Sequence, residues 1–195
     1  MKKTLLLLGS AALIAFTGCA NKQQTKPQTP SCQIDGTKAP KWVCMPEDVE
    51  GGIVAVGSAP KNAAGDIQFQ REEAMAAARD ALARRLSVKV KNMFKQFKAT
   101  TGAGNNQTFE KATQSVSKQL SSEVLRNSKQ LNMWISPKGT MYVLVGIPNQ
   151  EELKEEVKNA VKTSLKNDQA LYQKFLSKKA QEELDKAIEK EFGGN

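Results

Sequence analysis

The sequence contains no histidine and has few aromatic residues and cysteines. Histidine is the commonest general base and a frequent metal ligand, so its absence removes the usual route to both kinds of site. Aromatic residues make up 6% of the chain, which predicts a modest core built largely from Ala, Val, Leu and Ile. These absences argue against a catalytic centre and against a bound metal, and we expect neither a cofactor nor enzymatic activity.

The chain is basic and of moderate length. Its 195 residues have room for one ordinary domain with extensions. The formal net charge of +9 would make nucleic acid the first partner to consider in a cytoplasmic protein. The function therefore depends on the compartment, which the N-terminal residues indicate.

The first 18 residues are predicted to be a lipoprotein signal peptide. Lys2 and Lys3 precede an apolar run, "TLLLLGSAALIAF", which is shorter than the ~20 residues needed to span a membrane. The run ends in "FTGC", which resembles the bacterial lipobox, although leucine is usual where Phe16 stands. In that motif the cysteine is acylated and becomes the new N-terminus, so Cys19 is the predicted lipidation site. The alternative is an ordinary secretory signal with an incidental cysteine.

A lipid-anchored protein faces partners of the cell envelope. Bacterial lipoproteins that stay at the inner membrane typically carry Asp where this chain has Asn21, which favours the outer membrane. Nucleic acid is then excluded by compartment. The positive charge could instead favour anionic lipid headgroups, lipopolysaccharide phosphates or an acidic protein.

Residues 19–38 are rich in Gln, Thr, Lys and Pro and are predicted to form a flexible tether. Cys32, near its end, and Cys44 are the two remaining thiols. In an oxidising periplasm they are candidates for a disulfide bond. Metal binding is the weaker alternative, because two thiols without an imidazole make a poor site.

Residues 39–150 are predicted to form the folded domain. A strand is expected from Ile53 to Val56, followed by a long periodic segment from Asp66 to about Phe97. Helix is expected through about Ala83, whereas "LSVKVKNMF" also alternates and could be a strand. A second helical pattern follows, and then a hairpin, "LNMWIS" and "TMYVLVGI" joined by "PKG". Its apolar positions alternate on both strands: Leu131, Met133, Ile135, Met141, Val143 and Val145.

Residues 151–195 are predicted to form a helical, amphipathic C-terminal extension. Asn149 and Glu152 resemble a helix-capping pair at its start. Two interpretations remain open for this segment. It is either a solvated helix packed on the domain or a coiled-coil-like arm for self-association.

Several short stretches occur in an order that is typical of one family: "APKWV", "GIVAVGSA", "EEAMAAARDALARRL" and "MYVLVGI". Together with the lipobox, they resemble the bacterial lipoprotein family of the twenty-kilodalton Helicobacter surface antigen, which includes the flagellar lipoprotein FlgP. The resemblance covers roughly residues 39–150. It implies an α+β fold in which a small antiparallel sheet packs against a long helix, and an outer-membrane lipoprotein without enzymatic activity.

The resemblance also implies a function. FlgP-like members support motility by forming disk-like assemblies around the flagellar motor, whereas other members are known chiefly as surface antigens. We therefore expect a homo-oligomeric structural role, with membrane lipid as one partner through Cys19 and flagellar or envelope proteins as further partners. The alternatives are a surface antigen or adhesin, and a binding module for anionic envelope components.

Overall fold

A three-stranded antiparallel sheet packed on a long helix forms the centre of the fold. The computed structural model describes residues 31–46, 53–102, 106–166, 172–173 and 175–193, all within the unit Ser31–Asn195. The elements in chain order are β1 (Gln33–Ile34), β2 (Thr37–Lys38), α1 (Lys41–Cys44), β3 (Ile53–Ala59), α2 (Ile67–Thr101), α3 (Asn106–Asn127), β4 (Lys129–Ile135), β5 (Met141–Ile147), α4 (Gln150–Leu165) and α5 (Lys178–Phe192).

Helix α2 continues without interruption from Ile67 to Thr101. The Asp66 side chain caps its start by accepting hydrogen bonds from the backbone N–H groups of Gln68 and Phe69. The stretch "LSVKVKNMF", for which a strand was the alternative, is helical. Val88 and Val90 would share one face of a strand, yet Val88 is 59% exposed and Val90 is fully buried.

The sheet has the order β3-β5-β4, so β5 is central and the other two strands are edges. Strand β3 extends three residues beyond the predicted end at Val56, because its pairing with β5 continues as far as Ala59 opposite Met141. Strand β4 pairs with β5 on one side only, with a register shift between Gln130 and Asn132. The α+β class predicted from the sequence is confirmed.

The C-terminal extension belongs to the same hydrophobic core as the sheet. Asn149 caps α4 by accepting a hydrogen bond from the backbone N–H of Glu152, at 3.1 Å. Both C-terminal helices bury one face in the core, through Leu153, Val157, Ala160, Val161, Leu165, Ala180, Leu184, Ala187, Ile188 and Phe192. The structure therefore favours packing on the domain over a separate arm for this segment.

Folded structure begins inside the segment that the sequence assigns to the tether. Strands β1 and β2 form a short antiparallel hairpin whose two turn residues are Asp35, at φ 53°, and Gly36, at φ 75°. Positive φ at both positions is the geometry of a type I′ turn, for which Asp-Gly is a preferred pair. The sequence did not predict this hairpin, because strands of two residues are too short to show an alternating pattern within a segment of polar composition.

Candidate functional site

The predicted lipidation site, Cys19, lies outside the described residues, as do the signal peptide and the first part of the tether. In the part of the chain that the structure describes, no helix is long and apolar enough to cross a membrane. The described residues also include no cluster of acidic, histidine or cysteine side chains suited to a metal ion.

Cys32 and Cys44 are joined by a disulfide bond, with their Cα atoms 5.8 Å apart. The bond closes a small N-terminal unit, residues 31–46, which contains the β1–β2 hairpin and α1. This unit meets the turn between β4 and β5, where the backbone N–H of Lys138 donates to Asp35 Oδ2 at 3.3 Å. The Ser136 hydroxyl, and then the N–H and charge of Lys138, hold the pKa of Asp35 below its usual value despite desolvation.

An apolar surface lies along edge strand β4. Leu131, Met133 and Ile135 are 43%, 42% and 43% exposed, whereas the alternating apolar residues of the central strand, Met141, Val143 and Val145, are fully buried. Ile67 of α2 is 61% exposed. It precedes Arg71 by one helical turn, and the Arg71 Nε–H donates to Gln130 Oε1 of β4 at 2.9 Å, so this flank of α2 borders the strand. We call Leu131, Met133, Ile135 and Ile67 the apolar edge. Met133 and Ile135 lie on the face of the sheet that packs on α2, whereas the register shift turns Leu131 to the other face, beside Gly146 and Val54, so the predicted alternation does not extend to Leu131.

The second half of α2 carries a strongly basic surface. Residues 81–101 contain six Lys or Arg side chains and no acidic residue. Arg84, Lys91 and Lys95 are exposed, and so is Val88 between them. At 100° per residue these four positions fall within about 60° of helix circumference, which makes them one narrow stripe. We call Arg84, Val88, Lys91 and Lys95 the basic face.

Other cations of the same helix contact neutral groups. Arg85 Nη1 donates to the backbone carbonyl of Val54, and Lys89 Nζ donates to the backbone carbonyl of Glu191.

Beside the basic face, a cavity of about 530 Å³ opens between α2 and β3. Apolar side chains of Ala55, Val56, Ala81 and Val88 contribute to its lining, and Arg84, Arg85 and Lys89 also line it.

Ion pairs connect the two C-terminal helices. Lys154 lies 2.6 Å from Glu151 and 2.9 Å from Glu189, and these two partners raise the pKa of its ammonium group. Lys158 lies 2.8 Å from Asp185 across the same interface. The Lys154–Glu189 and Lys158–Asp185 pairs join α4 to α5, so their role is structural.

The sequence indicated that Met133 and Ile135 share a face of β4, but it indicated neither the register shift at Leu131 nor the exposure of the strand. Alternation shows which residues share a face of a strand, while burial of that face depends on the order of strands in the sheet. The cations of α2 are visible in the sequence, but their grouping into one exposed stripe depends on which helical faces α3 and α5 cover. A helical-wheel projection from Arg84 to Lys95 would have been the available signal.

Comparison with known proteins identifies the family. No curated protein sequence matches the chain. The model of the LPP20 lipoprotein family matches residues 40–148, a range that includes α1, the whole sheet, α2 and α3. The match spans more than half of the chain and agrees with the resemblance found in the sequence, and the protein therefore belongs to the LPP20 lipoprotein family.

Proposed function

We propose that this protein is an acylated outer-membrane lipoprotein with a non-catalytic, structural role, and that its copies assemble laterally within the flagellar apparatus. The observation that carries the assembly role is the apolar edge. Membership of a lipoprotein family supports the anchor, and the lipobox places the anchor at Cys19. The flagellar setting rests on the resemblance to FlgP-like members of the family.

The apolar edge is suited to pairing with a second copy. Within the described residues the outer side of β4 has no strand partner. An edge strand presents main-chain N–H and C=O groups that can pair with another chain, and exposed apolar side chains favour such pairing. An antiparallel β4–β4 contact centred on Trp134, in the regular part of the strand that follows the register shift, would place Met133 opposite Ile135 and Asn132 opposite Ser136. No like charges would then face each other directly.

The anchor keeps the domain close to the membrane. About a dozen residues separate Cys19 from Ser31, and a chain of that length spans at most ~40 Å. Confinement of this kind raises the local concentration of copies at one surface, so that a modest contact is sufficient for assembly. Asn21 in place of Asp favours the outer membrane.

The oligomeric state tests the assembly role. Residues 19–195 with Cys19→Ser would be studied by sedimentation over a wide concentration range. We expect concentration-dependent association that Met133→Lys and Ile135→Lys weaken, because a Lys on an edge strand opposes pairing. Leu176→Lys is the matched control, since Leu176 is 45% exposed and lies outside the apolar edge. A chain that stays monomeric at the highest concentration contradicts the proposal.

Two experiments in cells test the anchor and the flagellar setting. Metabolic labelling with a fatty acid should label the wild-type chain and leave Cys19→Ser unlabelled.

Motor images from a deletion strain should lack a density at the outer membrane, and motility should be impaired. Normal motility and an unchanged motor would exclude the flagellar role. Cleavage by protease on intact cells would favour a surface antigen instead.

The basic face favours a second candidate function, a binding module for anionic envelope components. Three exposed cations and no acidic residue in that half of α2 form a surface complementary to phosphate or carboxylate groups. This function predicts salt-sensitive association of the acyl-free chain with anionic vesicles. Failure to associate at low salt would exclude it.

A further inference from the structure

We infer that the basic face of α2 docks the domain on the phosphate-bearing headgroups of an anionic membrane surface. The inference rests on the second function proposed above and assigns it to one surface. The stripe from Arg84 to Lys95 is about 16 Å long at 1.5 Å per residue. A straight row of cations on the exposed side of a rigid helix can lie parallel to a membrane plane.

No ion pair of Arg84, Lys91 or Lys95 occurs within the described part of the chain. Glu191 and Glu183 are acidic residues that contact this half of α2, and Glu183 does so at Thr100, near the end of the helix. The Glu191 carboxylate accepts from Gln96 Nε2 at 2.6 Å, and its backbone carbonyl accepts from Lys89. The stripe itself therefore faces solvent without a carboxylate bonded to it.

Val88 adds one apolar side chain at the margin of the basic face. It is 59% exposed, and it lies about 40° around the helix from Arg84, with Lys95 at about 20° between them and Lys91 on the other side of Arg84. Long Lys and Arg side chains can keep their charges at the phosphate level while an apolar residue beside them reaches the boundary with the acyl chains. An exposed valine beside the row of cations is therefore compatible with contact to a lipid surface.

A lipid surface fits this stripe better than an acidic protein does. Lipids move laterally, so a phosphate group can come to each cation without a partner of matching shape. The predicted acyl anchor already holds the domain within ~40 Å of such a surface. An attraction that is weak in solution is then sufficient to orient the domain.

Vesicle binding by matched charge variants tests the inference. The chain of residues 19–195 with Cys19→Ser would be titrated with vesicles of phosphatidylglycerol mixed with phosphatidylcholine, and with phosphatidylcholine alone. Arg84→Gln, Lys91→Gln and Lys95→Gln would be combined in one variant. The control variant combines Lys111→Gln, Lys118→Gln and Lys162→Gln, three exposed cations of α3 and α4. Circular dichroism would verify that both variants fold.

We expect the starting chain to bind the vesicles that contain phosphatidylglycerol and not the vesicles of phosphatidylcholine alone. Salt should weaken this binding. The basic-face variant should lose on the order of 100-fold in partition coefficient, because each cation near an anionic surface contributes roughly a factor of five. The control variant should lose much less. Val88→Glu should also weaken binding, because it places a negative charge beside the row of cations.

Three results would overturn the inference. Equal losses in both variants would show that net charge, and no particular face, drives binding, while the binding function itself would stand. No binding by the starting chain at low salt would exclude the binding function as well. Binding to poly-glutamate that depends on the basic face, without binding to vesicles, would assign the face to an acidic protein partner.

Discussion

Gly57 of β3 lies directly against the backbone of Ala78 in α2. A Cβ atom at position 57 would be 2.1 Å from the backbone nitrogen of Ala78 and 2.3 Å from the carbonyl oxygen of Ala74. Ala74 and Ala78 are both fully buried, so small residues on the helix and a glycine on the strand together permit this approach. The contact sets the distance between the helix and the sheet.

Gly57→Ala should therefore destabilise the protein strongly. The nearest atoms are backbone atoms, and relief would require α2 to move away from β3. We expect the free energy of unfolding to fall by about 3 kcal/mol or more, at the upper end for overpacked sites. Urea denaturation of the acyl-free chain would measure the loss. Ser58→Ala, at the neighbouring exposed position, is the control and should change stability by less than about 0.5 kcal/mol.

A buried amide joins the start of α2 to two chain segments at one end of the sheet, the last residue of β3 and the turn between β4 and β5. Gln70 is 4% exposed, and its Nε2 donates to the carbonyl oxygens of Ala59 at 3.0 Å and Gly139 at 2.8 Å. Gln70→Leu would leave both carbonyls without this donor, which should lower the free energy of unfolding by about 2 kcal/mol. Gln68→Leu, exposed on the same turn, serves as the control. An equal loss of stability in Gln70→Leu and Gln68→Leu, measured by thermal unfolding, would show that the buried amide has no special role.

The disulfide bond should stabilise the N-terminal unit more than the rest of the protein. The two cysteines are 12 positions apart, and closing a loop of that size contributes about 3 kcal/mol in the chain-entropy treatment. Replacing both Cys32 and Cys44 by Ser should raise hydrogen exchange in residues 31–46 and leave α2 protected. Cys19→Ser should change neither region. Global unfolding of the double variant would contradict this local role.

The sequence predicted the elements of the fold better than their exposure. The three- and four-residue steps of α2, its cap at Asp66 and the alternation of the hairpin are local patterns, and each corresponds to an element in the structure. The order of the strands in the sheet could not be predicted from local sequence patterns. It leaves β4 at an edge, which is why Met133 and Ile135 are exposed while Val143 and Met141 opposite them are buried.

The candidate surfaces also combine features that the sequence predicted with features that only the structure revealed. The six cations of residues 81–101 are evident from the sequence alone. That Arg84, Lys91 and Lys95 share the solvent side, while Lys89 reaches the end of α5, follows from the packing of α5 on α2. A helical wheel could have grouped these cations, but contacts between residues about a hundred positions apart carry no local signal, so their exposure to solvent required the structure.

A carboxylate on α4 provides a test of pH dependence. Burial, together with the charges of Glu123 and Glu152, raises the pKa of Glu156 above its ordinary value, although Arg126 opposes the shift. A carboxyl group whose pKa is raised in the folded protein destabilises that protein when ionised. The cost is present above the folded pKa and disappears as the pH falls below the pKa of the unfolded chain.

Glu156→Gln should therefore stabilise the protein at neutral pH. Glu152 lies one helical turn away, and like charges at that spacing cost up to about 0.5 kcal/mol, which sets the scale of the gain. The gain should vanish in acid, where the wild-type carboxyl is itself protonated. Thermal unfolding of both proteins from pH 7 down to pH 3.5 would show the two curves converging. Glu155→Gln, exposed and close to Lys158, should bring no such gain. A constant difference at every pH would mean that the substitution acts through packing and not through charge.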